Sequence, residues 1–150
     1  MSQFFAFESD FVESLRCIPM QVRFKLDTCG VKLKLQHWHQ FESGDRAQIV
    51  DLPCQTEAEI QHYQTVLHRL VQQRTGTAAA GLPIDPEPPW LNANQIPVSV
   101  QEKADEVGAK LTLTQWSALS PLKRFALIKL SRSAHENRNF LPALAEFNLK

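Results

Sequence analysis

Glycine is scarce in this sequence, five in 150 residues, and none stands in a GxxxxGK[ST] or GxGxxG arrangement. That removes the glycine-rich loops which cradle nucleotide phosphates. Cysteine is scarcer still: Cys17, Cys29 and Cys54 are an odd number with no CxxC pair. This argues against a disulfide framework and against a patterned zinc site, and HExxH is missing as well. An excess of one charge is also lacking. Sixteen Lys and Arg balance sixteen Asp and Glu, so no bulk field draws in nucleic acid or an anionic membrane. No apolar run approaches the ~20 residues needed to span a bilayer. The first residues, Met1-Ser-Gln-Phe-Phe-Ala-Phe-Glu, show neither a basic n-region nor a long apolar h-region, and a cytosolic protein is the expectation.

What remains is an ordinary globular composition, 43% hydrophobic and 21% charged, long enough for one domain with a real core. Within it one unit stands twice. Residues 18–52 align without a gap on residues 96–130, 78 positions later. The 12 identities over 35 pairs are Ile18, Pro19, Val22, Lys25, Asp27, Gly30, Lys32, Leu33, Leu35, Trp38, Arg46 and Leu52 with their partners. Internal self-similarity constrains a whole fold. The expectation is a mostly α, single helical domain of two pseudo-symmetric repeats: an N-terminal aromatic segment 1–17, repeat one 18–73, a proline-rich linker 74–95 and repeat two 96–150. A pseudo-twofold axis would relate the halves.

Each half serves as a control on the other. Pro19 and Pro97 suit the first turn of a helix, where a missing N–H costs nothing. Val22, Leu26, Cys29 and Leu33 keep a helical spacing that Val100, Ala104, Val107 and Leu111 repeat. Gly30 and Gly108 stand where a left-handed C-terminal cap is needed. The Lys-Leu-x-Leu that follows reads as loop or short strand, and it allows a very short extended pairing between the two copies. Short helices surround Trp38 and Trp116. Further helices open after Ser43 and at Ser120-Pro121, an N-cap hydroxyl before a proline. Thr56 with Glu59 forms a capping box for a helix to about Gln73. Phe140, Leu141, Leu144 and Phe147 keep a last helical rhythm in which Pro142 is expected to kink or restart the helix. Residues 74–91, with four prolines and two glycines, read as a loop whose end Trp90 pins.

Ligand-type residues occur without ligand spacing. Cys29 aligns with Val107 on a core stripe and reads as a small hydrophobe. His37 and His39 flank Trp38 and align with Gln115 and Ser117, so they are expected to face solvent. Glu8 and Asp10, like Glu57 and Glu59, read as helix-start charges. No catalytic residue and no metal or cofactor ligand follows from the pattern. Positions present in one copy alone are better places to look for function. Phe4, Phe5, Phe7 and Phe11 form an aromatic cluster that either closes the core or anchors a partner, with Arg16 and Arg23 at its rim. Together with His37, His39 and Trp90, these are the candidate partner-binding residues.

The stretch Phe7-Glu-Ser-Asp-Phe-Val-Glu-Ser-Leu-Arg-Cys-Ile-Pro-Met-Gln-Val-Arg-Phe-Lys-Leu-Asp-Thr-Cys-Gly-Val-Lys-Leu-Lys-Leu resembles the nitrate reductase associated protein family. The likeness continues through Trp38 and Leu52-Pro-Cys into the C-terminal half. It implies a small protein, found largely in cyanobacteria, that acts as a non-catalytic accessory or maturation factor of ferredoxin-dependent assimilatory nitrate reductase. The molybdenum-containing catalytic subunit would be its partner. The alternative is a carrier delivering molybdopterin or iron–sulfur components, for which Cys17, Cys54, His37 and Arg23 are the candidate contacts. The family offers no catalytic or ligand residues to carry over.

Overall fold

A computed structural model describes residues 4–8, 17–132 and 137–150. The chain is mostly helical, with eight α-helices and one two-stranded sheet among the described residues. It divides between Ile84 and Asp85 into two compact units.

In the first unit α1 (Met20–Cys29) starts behind Pro19, whose carbonyl accepts from the N–H groups of Val22 and Arg23 at 3.0 and 3.1 Å. It ends at Gly30, where φ is 74° and the N–H donates to the Leu26 carbonyl. A left-handed residue turns the chain sharply and satisfies an orphan carbonyl in one step. β1 (Val31–Lys32) pairs antiparallel with β2 (Ala80–Gly81), and the Leu82 N–H extends the ladder to the Gly30 carbonyl at 2.8 Å. The extended pairing thus differs from the expected one between the two Lys-Leu-x-Leu segments. Leu35 and Leu113 each begin a helix, which leaves little extended chain for those segments to pair with. The backbone of 80–82, in the proline-rich stretch, supplies the partner groups instead.

Two short helices follow, α2 (Leu35–Gln40) and α3 (Ser43–Asp51), then the long α4 (Glu57–Thr75). Thr56 caps α4 by accepting from the Glu59 N–H, and the Glu59 carboxylate returns the bond to the Thr56 N–H. Along α4, Tyr63, Val66, Leu67, Leu70 and Val71 face a core shared with Val22, Leu26, Trp38 and Ile49.

The second unit opens with a 3-10 turn at Pro89–Leu91, then α5 (Val98–Glu106), α6 (Leu113–Ala118), α7 (Pro121–Arg132) and α8 (Phe140–Glu146). Its buried side chains include Val100, Ala104, Trp116, Phe125, Leu127, Ile128, Leu130, Phe140 and Leu144. Trp90 packs edge-on against Phe125, ring centroids 5.0 Å apart. Pro142 produces no break: α8 begins at Phe140, so the proline falls in the first turn, where its missing N–H has no intrahelical partner to lose.

Helices α1, α2 and α3 begin at Met20, Leu35 and Ser43; α5, α6 and α7 begin at Val98, Leu113 and Pro121, each start 78 positions on. Gly108 matches Gly30 with φ 74°, and Trp38 and Trp116 are both fully buried.

Candidate functional site

The N-terminal segment is fastened by Glu8. Pro19 has no side chain able to cap α1, so the Met20 N–H is an orphan donor at a positive helix end. The Glu8 carboxylate, 1% exposed, accepts that N–H at 3.1 Å and the Phe5 N–H at 3.3 Å. Glu8 is therefore a helix-start charge, but for a helix twelve residues further along. Phe5 is buried and stacks on half-buried Phe7 at 5.3 Å, while Phe4 is 40% exposed. The aromatic cluster is thus divided, one ring in the core and one turned outward. Phe11 and Arg16 lie outside the described residues.

Arg23, half-buried, donates from Nε to the Ile18 carbonyl at 3.2 Å. His39 is exposed, and its carbonyl, with that of Trp38, accepts from the Arg46 guanidinium at 3.0 Å. His37 departs from the solvent-facing expectation: it is 8% exposed. Its Nδ1 accepts the Lys34 N–H at 3.2 Å and so caps α2. Burial, and secondarily the Lys34 charge, hold its pKa below the ordinary value, which keeps the ring neutral and able to accept. Trp90 belongs to the second unit, against Phe125.

The structure also assembles a group that the sequence spacing hides. Cys29, the last residue of α1, and Cys54, between α3 and α4, are buried in the same core, where the Cys29 thiol donates to the Leu26 carbonyl at 3.7 Å and the Cys54 thiol to the Lys25 carbonyl at 3.8 Å. Beside them Lys25 donates from Nζ to the carbonyls of Val50 and Leu52, both at 2.7 Å, with the Tyr63 ring 5.6 Å away. The Tyr63 hydroxyl donates to the Ile49 carbonyl at 2.8 Å. The neighbouring Cys29 thiol and then the Lys25 charge draw the Cys54 pKa down, while its own burial opposes them. The contact with Cys54 and burial push Cys29 up. Burial lowers Lys25, against the pull of Cys54 and Asp51.

Ion pairing gathers at the start of α3, where Arg74 donates from Nε to Asp45 Oδ2 at 2.7 Å and from Nη2 to Oδ1 at 3.3 Å, with Glu42 at 3.4 Å. In the second unit Arg124 is 6% exposed; Nη2 donates to the Leu119 carbonyl at 2.9 Å, and Nε and Nη1 have no hydrogen-bond partner. A shallow concavity there is lined by Pro89, Asn92, Gln95 and Pro97, none of them charged. Among the described residues no group of three or more His, Cys, Asp or Glu is placed to hold a metal ion, and no helix is long and apolar enough to cross a membrane.

No curated protein and no solved structure matches the chain. A family model described as conserved nitrate reductase-associated protein matches residues 4–147, nearly the full length and both helical units. The chain belongs to the family of conserved nitrate reductase-associated proteins.

Proposed function

We propose that this protein is a non-catalytic accessory or maturation factor that binds the molybdenum-containing catalytic subunit of ferredoxin-dependent assimilatory nitrate reductase and supports its activity in the cytoplasm. The observation that carries this reading is the family match over residues 4–147, whose description reads conserved nitrate reductase-associated protein. The two helical triplets, α1–α3 and α5–α7, are read as duplicated scaffold. Their common helix starts and buried tryptophans support that reading. Features carried by one triplet alone then supply the specificity. Foremost is the N-terminal segment, where Phe5 and Glu8 are anchored and Phe4 projects. An outward aromatic on a fastened segment suits a partner's pocket, because little freedom is lost on docking.

Co-purification tests the reading. The full chain should retain the reductase catalytic subunit, and Phe4→Ala should reduce retention without changing the melting temperature. A reductase that reaches full activity without this protein, and never co-purifies with it, removes the proposal.

A further inference from the structure

The two copies of the Ile-Pro helix start are covered differently. In the first copy Ile18, Pro19, Met20 and Gln21 are all buried, and the Glu8 carboxylate takes the Met20 N–H. The same carboxylate holds the N–H of buried Phe5. One short segment thus brings to the helix start an aromatic ring and, three residues on, an acid. In the second copy Ile96, Pro97 and Ser99 are half-buried, and Val98 is 69% exposed where its counterpart Met20 is 3% exposed. Helix α5 begins there with no side-chain cap and no acidic residue in its first turn, so nothing offsets the positive end of the helix. The residues 78 positions after Phe5–Glu8 are Pro83–Pro86, with proline in place of the glutamate. The chain at that point is committed elsewhere: the Leu82 N–H bonds to the Gly30 carbonyl, and Ile84 lies against Gly30 in the first unit.

Apolar surface and a positive charge lie beside the bare start. The concavity lined by Pro89, Asn92, Gln95 and Pro97 adjoins Val98 through Pro97, and Leu91, next to it in the turn at Pro89–Leu91, is 58% exposed. The Ser131 hydroxyl donates to the Ser99 hydroxyl at 3.2 Å. That bond brings the end of α7, whose last residue is the exposed Arg132, to the start of α5. We propose that the start of α5 is a docking seat for an extended segment of a partner protein that carries an aromatic side chain and, three residues later, a carboxylate. The ring fills the apolar concavity. The carboxylate accepts the Val98 N–H beside Arg132, as Glu8 accepts the Met20 N–H in the first copy. Charge complementarity calls for the acid, and the duplication supplies the spacing.

The chain contains its own probe. A synthetic peptide copying residues 3–9, Gln-Phe-Phe-Ala-Phe-Glu-Ser with both ends blocked, is titrated into the full protein while backbone amide signals are followed. The Val98 and Ser99 signals should shift and saturate, and those of Met20 and Gln21 should stay in place because their seat is already filled. Glutamine in place of the peptide's glutamate should weaken binding roughly fivefold. Val98→Asp sets a like charge in the seat at a position where acids suit a helix, so it should abolish the shift at Ser99 without lowering the melting temperature. Arg132→Gln should weaken the acidic peptide about twofold and leave the glutamine peptide unchanged. Silence at Val98 and Ser99, shifts at Met20 and Gln21 instead, or equal binding of the two peptides each overturn the proposal. So does a dimer whose second copy already fills the seat, seen as concentration-dependent Val98 and Ser99 signals without peptide. An equal effect of Arg132→Gln on both peptides overturns the role given to Arg132. The probe is a peptide of this chain and the reductase is absent from the titration, so this inference and the proposed function fail separately.

Discussion

The two helical triplets begin their helices at matching positions but close them with different chemistry. In α1–α3, a histidine ring caps α2 and an acidic pair sits at the start of α3 with Arg74 across it. In α5–α7 the same places hold Thr112 with Gln115, whose side-chain oxygen accepts the Thr112 N–H at 2.9 Å, and Ser120, which accepts the Lys123 N–H. The first triplet relies on ionisable groups and the second on neutral ones. Arg46 and Arg124 differ in the same sense: one guanidinium meets two carbonyls, and the other is buried with two nitrogens unpaired. Matching backbone positions therefore do not imply matching sensitivity to pH or ligand.

The largest test of the comparison is removal of its shared centres. Trp38→Ala and Trp116→Ala should each cost about 3–5 kcal/mol in denaturant unfolding, since both rings are fully buried. A cost below about 1 kcal/mol at either site would break the parallel, because a buried tryptophan that contributes so little is not a core centre. The glycines sharpen it. A Cβ on Gly30 would meet Ile84 at 2.7 Å and the Leu82 carbonyl oxygen at 3.0 Å, whereas at Gly108 it would meet the movable Lys150 Nζ at 3.3 Å. Both substitutions to alanine carry the left-handed penalty of about 1–2 kcal/mol, and Gly30→Ala should lose roughly 1 kcal/mol more. Melting temperatures for the two variants decide it.

Asp45→Asn comes next, with an expected loss of about 2 kcal/mol from the weakened cap and charged hydrogen bonds. The Arg74 hydrogen bonds hold the Asp45 carboxyl below its ordinary value of 3.8. Its stabilisation is therefore complete above that value and lost as pH falls through the lowered folded value. Stability curves of wild type and variant should converge in acid; curves that stay parallel would show that the pair does not titrate as described.

The smallest effect belongs to His37→Gln, which copies Gln115. Because the folded pKa of His37 is depressed below 6.5, the unfolded chain binds the extra proton more readily, and wild type loses stability as pH drops below that value. At pH 7.5 the variant should lie within about 0.5 kcal/mol of wild type, the usual range for a cap exchanged between acceptors. Below pH 6.5 it should lose less than wild type does.

Local chemistry was legible in the sequence. The Thr56–Glu59 box, the Ser120-Pro121 helix start and the left-handed Gly30 are each written within four residues, and backbone geometry turns such short spacings directly into structure. Contacts across longer separations were not. Glu8 reaches Met20 over twelve residues, and Cys54 meets the Lys25 carbonyl of α1 only because the chain of α2 and α3 folds back between them. Periodicity places Cys29 correctly on a buried face, but a stripe cannot say which side chain from another element will lie against it. His37 escaped for a different reason: histidine is uncommon as a capping acceptor, so its spacing from Lys34 carried no signal. The proline-rich stretch concealed β2 because two residues of strand leave no alternating pattern to read.

The Gly30 carbonyl, which accepts the Leu82 amide, has a kinetic consequence. Val31 and Gly81 stand 50 positions apart, so this short ladder joins the end of α1 to the last residues of the first unit, whereas its helices are held by bonds four residues long. Closing such a loop costs chain entropy that only a few hydrogen bonds return. The ladder should therefore open in native conditions more often than the helices unravel. Amide exchange at Leu82 would report how often that clasp opens, in a molecule whose Tyr63 and Trp38 remain packed.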